Sequence, residues 1–473
     1  MTAEGLDFDG AQLPRMQTAA PGPASISMVD VLARSECPAI TARRARRARE
    51  SGVGQDPIVW SRALGANVED VDGNLYVDLT SAFAVSGLGH RHPEVVAAAH
   101  RQLDRLIHAM GDVYPSDAKI AFTEKLSQVA PGALTQSILG LSGASAIEAA
   151  LKTAVIHTGK PGVIAFWGGY HGLSHGALAA TAYRENFRAP FLSQLNPHIR
   201  HIPYPDPHDP PFGMPAGTPP EQVTHACLTY LRQMLAGPAT GGEGIGAILI
   251  EPIQGRGGEI EPSAGFLAGL REVCDEYGVV LIFDEIYTGF ARTGDMFACQ
   301  HEREGVLPDI LCVGKAMGGG FPLSAAIGTA EVMGSWGTSS GEAVHTSTFL
   351  GNPLGCAMAT ASLEVLVRDG WPAKVREKGA WLTGKLEALC REYPQHLTRV
   401  RGRGLMLGLE LVEGGNPAPL KALTLMTACR DRGFLVLPSG VQGHILALSP
   451  PFVITQEQLE AALEAIREIL DSL

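Results

Sequence analysis

Apolar residues in this chain gather in short unbroken runs that end on charge. Val279–Phe283 is apolar throughout and stops at Asp284-Glu285. Ile310–Val313 stops at Gly314-Lys315 and a glycine-rich turn, and the Gly246–Gly255 segment (GAILIEPIQG) carries its run to Glu251. Runs of this length without alternation read as strands buried on both faces, the pattern of a parallel sheet. An ionisable residue at the carboxyl end of such a strand stands where open α/β sheets collect their ligands. Between the runs the pattern turns helical, over Pro93–His108, from Ser142-Gly143 to Lys152, over Phe266–Tyr277 and after Asn352. This strand–helix alternation, from about residue 136 to 330, predicts an α/β fold with a mainly parallel sheet.

The flanks read differently. Residues 1–25 are rich in Pro, Gly, Ala and Gln and are expected to form a loose arm. Five arginines between Thr41 and Arg49 predict a solvated helix face. Ala63–Thr80 alternates around the turn dipeptide Asp72-Gly73 and predicts a hairpin. The proline-dense stretch Asn196–Thr218 predicts a surface loop. Thr455 and Gln458 form a capping box for a last helix that buries Leu459, Leu463, Ile466 and Leu470.

Composition narrows the function. The 473 residues are 45% hydrophobic and 18% charged, enough for more than one core, and a net charge of −12 argues against nucleic acid or anionic membrane as the main partner. No run approaches the roughly 18 apolar residues of a membrane span. The N-terminal residues lack a signal-peptide pattern, and eight scattered cysteines form no disulfide framework, so a soluble cytoplasmic protein is expected. His90 with His92, and His198 with His201 and His208, have no accompanying ligand set, so no metal is expected.

A lysine and an aspartate each delivered by a buried strand answer the needs of one cofactor. Pyridoxal phosphate is held through a lysine amine whose pKa must fall, and its ring nitrogen keeps its proton beside a buried carboxylate. Lys315 and Asp284 suit the two roles. The string Asp284-Glu-Ile-Tyr-Thr-Gly-Phe-Ala-Arg-Thr-Gly294, followed by Gly314-Lys-Ala-Met-Gly-Gly-Gly-Phe-Pro322, resembles the signature of the class III (ω-type) aminotransferases, pyridoxal-phosphate enzymes of fold type I.

The resemblance covers the chain from about residue 30 onward. It implies a seven-stranded-type sheet in a large cofactor-binding domain (85–345), an N-terminal arm and part of a small domain (1–84), and a C-terminal small α+β domain (346–473). It also implies Lys315 and Asp284 as catalytic residues. Gly143 and Ala144 would bind the cofactor phosphate, at a helix N-terminus suited to anions. Tyr170 and Ile286 would cover the two ring faces, and His171, Glu251 and Tyr287 would line the cofactor. Thr348, in His345-Thr-Ser-Thr-Phe-Leu-Gly-Asn-Pro353, would reach the phosphate of a neighbouring subunit, which implies a homodimer with shared sites.

Some positions depart from the family pattern. Ser145 replaces a glutamate. Tyr287 replaces a glutamine, and Arg256 replaces an acidic residue. The positions where relatives carry a substrate-binding arginine fall on Ala447 and near Leu437. Glu251 would then lack its usual cation, so its pKa should rise or it should meet Arg256 or a cationic substrate end. Arg256 and Arg403 are the candidates for holding a substrate carboxylate. The expected activity is ping-pong transfer of an amino group from an amine, ω-amino acid, diamino acid or α-amino acid to a 2-oxo acid such as pyruvate or 2-oxoglutarate. An amino-acid racemase or epimerase is the alternative, a decarboxylase a further one.

Overall fold

The computed structural model describes residues 8–54, 56–237, 240–301, 305–337 and 342–473. The chain forms two compact units, one of Met1–His92 with Glu377–Leu473 and one of Pro93–Arg376.

The Pro93–Arg376 unit is built on a seven-stranded sheet. From one edge its strands are Leu134–Gly140, Ser324–Thr329, Ile310–Val313, Val280–Asp284, Ile245–Ile250, Gly162–Phe166 and Ile199–Ile202. Only Ser324–Thr329 runs antiparallel to its neighbours; the remaining pairings are parallel. The three runs that end on charge are strands at or within one residue of the expected bounds, and every residue in them is buried. Each fully buried Leu, Ile or Phe side chain there contributes about 1.5–3 kcal/mol. Such runs cannot tolerate an ionisable group until the strand ends, so Asp284, Glu251 and Lys315 collect along one edge.

Helix Phe266–Tyr277 matches its predicted bounds. The helix after Ser142 runs from Gly143 to Thr158, with Ala146, Ile147, Ala150, Leu151 and Ala154 buried in the core under the sheet. The helix expected over Pro93–His108 ends at Leu103, because Leu103, Leu106 and Ile107 are exposed and no apolar face continues. Within the proline-dense stretch, Ile199–Ile202 pairs as the edge strand, in the proline-free interval between Pro197 and Pro203 where every residue keeps its hydrogen-bond donor. The expected boundaries at 84/85 and 345/346 differ from the division at 92/93 and 376/377. Helix Pro353–Arg368 packs on helices Pro93–Leu103 and Asp117–Val129, and this joins it to the larger unit.

In the other unit, the predicted hairpin is Asn67–Asp70 with Leu75–Asp78, extended by Trp60–Leu64. The arginine-rich segment is a helix, Arg43–Ser51, with no buried residue. The last helix has its Thr455/Gln458 capping box and buries the four expected residues. The loose arm requires correction. Arg15 exchanges both backbone hydrogen bonds with Leu75, the Asn67 and Asn74 amides accept from the backbone of Gln12, Gln17 and Thr18, and Pro23–Ser35 is a helix. Backbone pairing with the start of the Leu75–Asp78 strand holds this proline- and glycine-rich segment, and composition alone does not reveal it. Residues 1–7 lie outside the described residues.

Candidate active site

Val280–Asp284 and Ile310–Val313 run parallel, with Asp284 opposite Cys312. The adjoining strand ends therefore bring Asp284 and Lys315 together. Lys315 opens a short 3₁₀ turn with φ of 42°. That left-handed conformation costs a side-chain-bearing residue on the order of 1–3 kcal/mol and is characteristic of functional sites. Its Nζ lies 4.4 Å from the centroid of the Tyr287 ring. Burial pushes the Lys315 amine down to about 8, against the pull of Asp284 and Glu251 and with help from the charges of Arg256 and Arg292.

Asp284 is 4% exposed. It accepts from Nδ1 of His171 at 2.7 Å and from the backbone N–H of Ile286 at 3.1 Å. Burial opposes charge on His171, but the hydrogen bond to Asp284 and the charges of Asp284 and Glu251 outweigh it, so its pKa is raised. The His171 backbone N–H is fixed by the Thr181 hydroxyl.

Glu251, just past the Ile245–Ile250 strand, accepts backbone N–H groups from Tyr170 and Gly255, both at 2.9 Å. Burial lifts its carboxyl to about 7; His171 and the two N–H donors hold it down, and Asp284 adds to the rise. The rise follows the sequence argument. Arg256 does not pair with it: its guanidinium carbon lies 5.3 Å from the ring centroid of Tyr170 and 5.1 Å from that of Tyr183. Glu285, the other half of the carboxylate pair, serves packing instead, accepting from Thr288 and from the backbone of Ala298 and Cys299.

Gly143 begins its helix behind the N-cap Ser142 and sits against Ile286; a Cβ there would lie 2.9 Å from Ile286 Cδ1 and 3.1 Å from Cγ2. The N–H groups of Gly143 and Ala144, in the first turn, have no carbonyl four residues earlier within the helix to bond. Ser145 bonds Ser142 at the same helix start. Thr348 is exposed in its turn within the single chain. Arg403, on a strand of the smaller unit, is exposed. Ala447 and Leu437 face each other as cross-strand partners in that unit. His201 bonds the Ala180 carbonyl, and among the described residues no group of three or more His, Cys, Asp or Glu could hold a metal ion.

An aromatic wall that no sequence motif marks stands beside Tyr170. Tyr183 and Phe187 meet its ring edge-on at 6.3 and 6.4 Å. Tyr183 precedes the short helix Glu185–Arg188 that carries Phe187, so no helical periodicity marks the two as neighbours.

An aspartate bonded to histidine at one strand end and a lysine of lowered pKa beyond the next form the core of the candidate site. The chain matches the family model "Aminotransferase class-III" over residues 49–470. It belongs to the class III aminotransferases. It is 38% identical, over 98% of its length and 99% of theirs, to 4-aminobutyrate aminotransferases of Mycobacterium bovis and Mycobacterium tuberculosis. It is 32% identical to an alanine/serine racemase of Pyrococcus horikoshii, over 98% of this chain and 94% of that one. Among solved structures it resembles an (S)-enantioselective ω-transaminase from Thermomicrobium roseum (TM-score 0.81, 27% identity, 90% and 94% of the two chains). It also resembles a taurine:2-oxoglutarate aminotransferase from Bifidobacterium kashiwanohense, in complex with PLP and glutamate (0.80, 28%, 89% and 93%). The fold is therefore fold type I, and the cofactor of this enzyme family is pyridoxal phosphate. No helix among the described residues is long and apolar enough to cross a membrane.

Proposed function

We propose that this enzyme moves the amino group of an ω-amino acid, of the 4-aminobutyrate type, to a 2-oxo acid in ping-pong order. The observation that carries this reading is the 38% identity, over nearly the whole of both chains, to 4-aminobutyrate aminotransferases. The site agrees in its chemistry. Pyridoxal phosphate, when bound, supplies an electron sink for the pair left on the substrate carbon.

Lys315 would hold the cofactor aldehyde through Nζ. An amine with a pKa near 8 is partly neutral at neutral pH, so the same Nζ can take a proton from the amine-bearing carbon of the donor and return one as an acid. Asp284 would hold the ring nitrogen with its proton, and His171, donating to Asp284, orients that carboxylate. Gly143 and Ala144, at the start of their helix, would offer backbone N–H groups to the phosphate. Tyr170 and Ile286 would close the two faces of the ring, while Tyr287 and Glu251 line its edge. Thr348, exposed in one chain, would complete the phosphate site of a second copy, making the enzyme a homodimer with shared sites.

The test separates the two halves of the reaction. Holoenzyme with 4-aminobutyrate and no oxo acid should form about one equivalent of aldehyde per site and stop. Adding 2-oxoglutarate or pyruvate should release the corresponding amino acid and restart turnover. Continuous turnover without an oxo acid, or none with either, would reject the proposal. A second reading, amino-acid racemisation, draws on the alanine/serine racemase relative. It requires that single-enantiomer alanine lose optical purity with no oxo acid present.

A further inference from the structure

Every 2-oxo acid that accepts an amino group carries a carboxylate that the site must hold while its keto carbon is placed at Lys315. A half-buried amine and a buried aspartate cannot do this; a cation within reach of substrate is needed. Two arginines act electrostatically on Lys315, Arg256 and Arg292. Arg292 is 1% exposed, so a ligand cannot reach its guanidinium. Arg256 is exposed. Among the described residues its guanidinium meets no carboxylate and no carbonyl; its neighbours are the rings of Tyr170 and Tyr183.

Its position is fixed from two sides. Gly255, immediately before it, gives its N–H to one oxygen of Glu251, and Tyr170, under its guanidinium, gives its N–H to the other. The same carboxylate therefore ties down both the backbone that carries the arginine and the ring it rests on. Tyr170 is itself braced by Tyr183 and Phe187. An arginine held against aromatic faces keeps its in-plane N–H donors for a partner, and the planar fork matches a carboxylate in two parallel hydrogen bonds. Glu251 is buried, each of its oxygens is engaged by a backbone N–H, and its raised pKa, about 7, weakens its claim on a cation.

We propose that Arg256, seated on Tyr170 and Tyr183, is the carboxylate anchor that selects acidic substrates for this site. This rests on the aminotransferase reading above. It gives the enzyme a preference for 2-oxo acids over carbonyl compounds of the same size without a carboxylate, and for amino acids over plain amines.

The test compares holoenzyme of wild type, Arg256→Gln and Arg256→Lys, with pyruvate and propanal as acceptors for one donor. The kcat/KM for pyruvate relative to propanal should fall at least about tenfold in Arg256→Gln, equivalent to about 1.4 kcal/mol. The change should lie mainly in KM. Arg256→Lys should recover part of the ratio, since it restores charge without the fork. Calorimetric titration with propionate, which does not react, should show its Kd rising by a similar factor. The visible absorbance of the holoenzyme reports whether each variant still carries its cofactor; if Arg256→Gln does not, Arg256→Lys carries the comparison and should still lose at least threefold. An unchanged ratio and unchanged propionate binding would overturn the assignment. So would equal losses for pyruvate and propanal. If wild type transfers no amino group to either acceptor, the aminotransferase reading fails instead, and propionate binding alone still decides whether Arg256 holds a carboxylate.

Discussion

Nδ1 of His171 donates to Oδ2 of Asp284 across 2.7 Å, joining side chains 113 residues apart that are no more than 4% exposed. Breaking a buried pair of this kind from one side typically costs about 3–5 kcal/mol, because the remaining charge stays buried without its partner. His171→Ala should lower apoprotein stability by about that much in urea unfolding. The pH dependence identifies the cause. The folded pKa of His171 is raised, so its stabilising contribution is complete below the ordinary histidine value of about 6.5 and is lost as pH rises through the folded value. The gap in stability between wild type and His171→Asn should therefore narrow as pH increases. A gap that widens would reject the ion pair.

Lys315 carries the opposite sign. Its folded pKa is lowered to about 8, so below that value the fold must hold a charged amine that burial disfavours. Lys315→Met should raise the Tm of the apoprotein at pH 7. The gain should be complete below about pH 8 and disappear as pH approaches the ordinary lysine value near 10.4. The same substitution should abolish turnover and the visible absorbance of the holoenzyme. Thermal scans from pH 6 to 10.5 test the first expectation, and activity in the variant would remove Lys315 from its role.

Lys315 and Asp284 were legible in the sequence because buried parallel strands admit charge only at their ends. The two runs therefore mark both the sheet and the strand ends at which its buried charges gather. The partner of Asp284 was not legible. His171 was expected to line the cofactor, but nothing in local periodicity states which loop crosses which strand end, and so its bond to Asp284 stayed hidden. The same limit hid the seat of Arg256. Its own segment shows an arginine among glycines, while the rings that hold it lie more than 70 residues earlier in the chain, at Tyr170 and Tyr183. The N-terminal arm failed for a related reason. Composition reports what a segment can bury, whereas Arg15 is held by backbone hydrogen bonds to Leu75 that any residue type could make.

Asp284→Asn separates binding from chemistry. Asparagine keeps the size of the side chain and an acceptor for Ile286 N–H, but removes the charge that would hold a proton on the cofactor ring. The variant should keep the visible absorbance of the holoenzyme and lose about 10²–10³-fold in kcat, the range found when one preorganised electrostatic contact is removed. Stopped-flow measurement of the donor half-reaction checks this, and an unaffected rate would remove Asp284 from the mechanism.

Gly255 and Tyr287 should behave as one unit. A Cβ on residue 255 would lie 2.2 Å from Cδ1 and 2.7 Å from Cε1 of the Tyr287 ring, a contact that a stiff ring cannot yield by a rotation of its tip. The Gly255 backbone also gives its N–H to Glu251, and Lys315 rests on the same ring. Gly255→Ala therefore forces either the loop away from Glu251 or the ring toward Lys315, and overpacking of this kind costs about 1–3 kcal/mol. Tyr287→Ala alone removes the support under Lys315 but strains nothing. In Gly255→Ala/Tyr287→Ala the added methyl has no ring to meet, so the double variant should be more stable than the two single losses sum to, by at least about 1 kcal/mol. Urea unfolding of the four proteins measures that coupling. Additive losses would mean that residue 255 is glycine for a reason other than the ring that faces it.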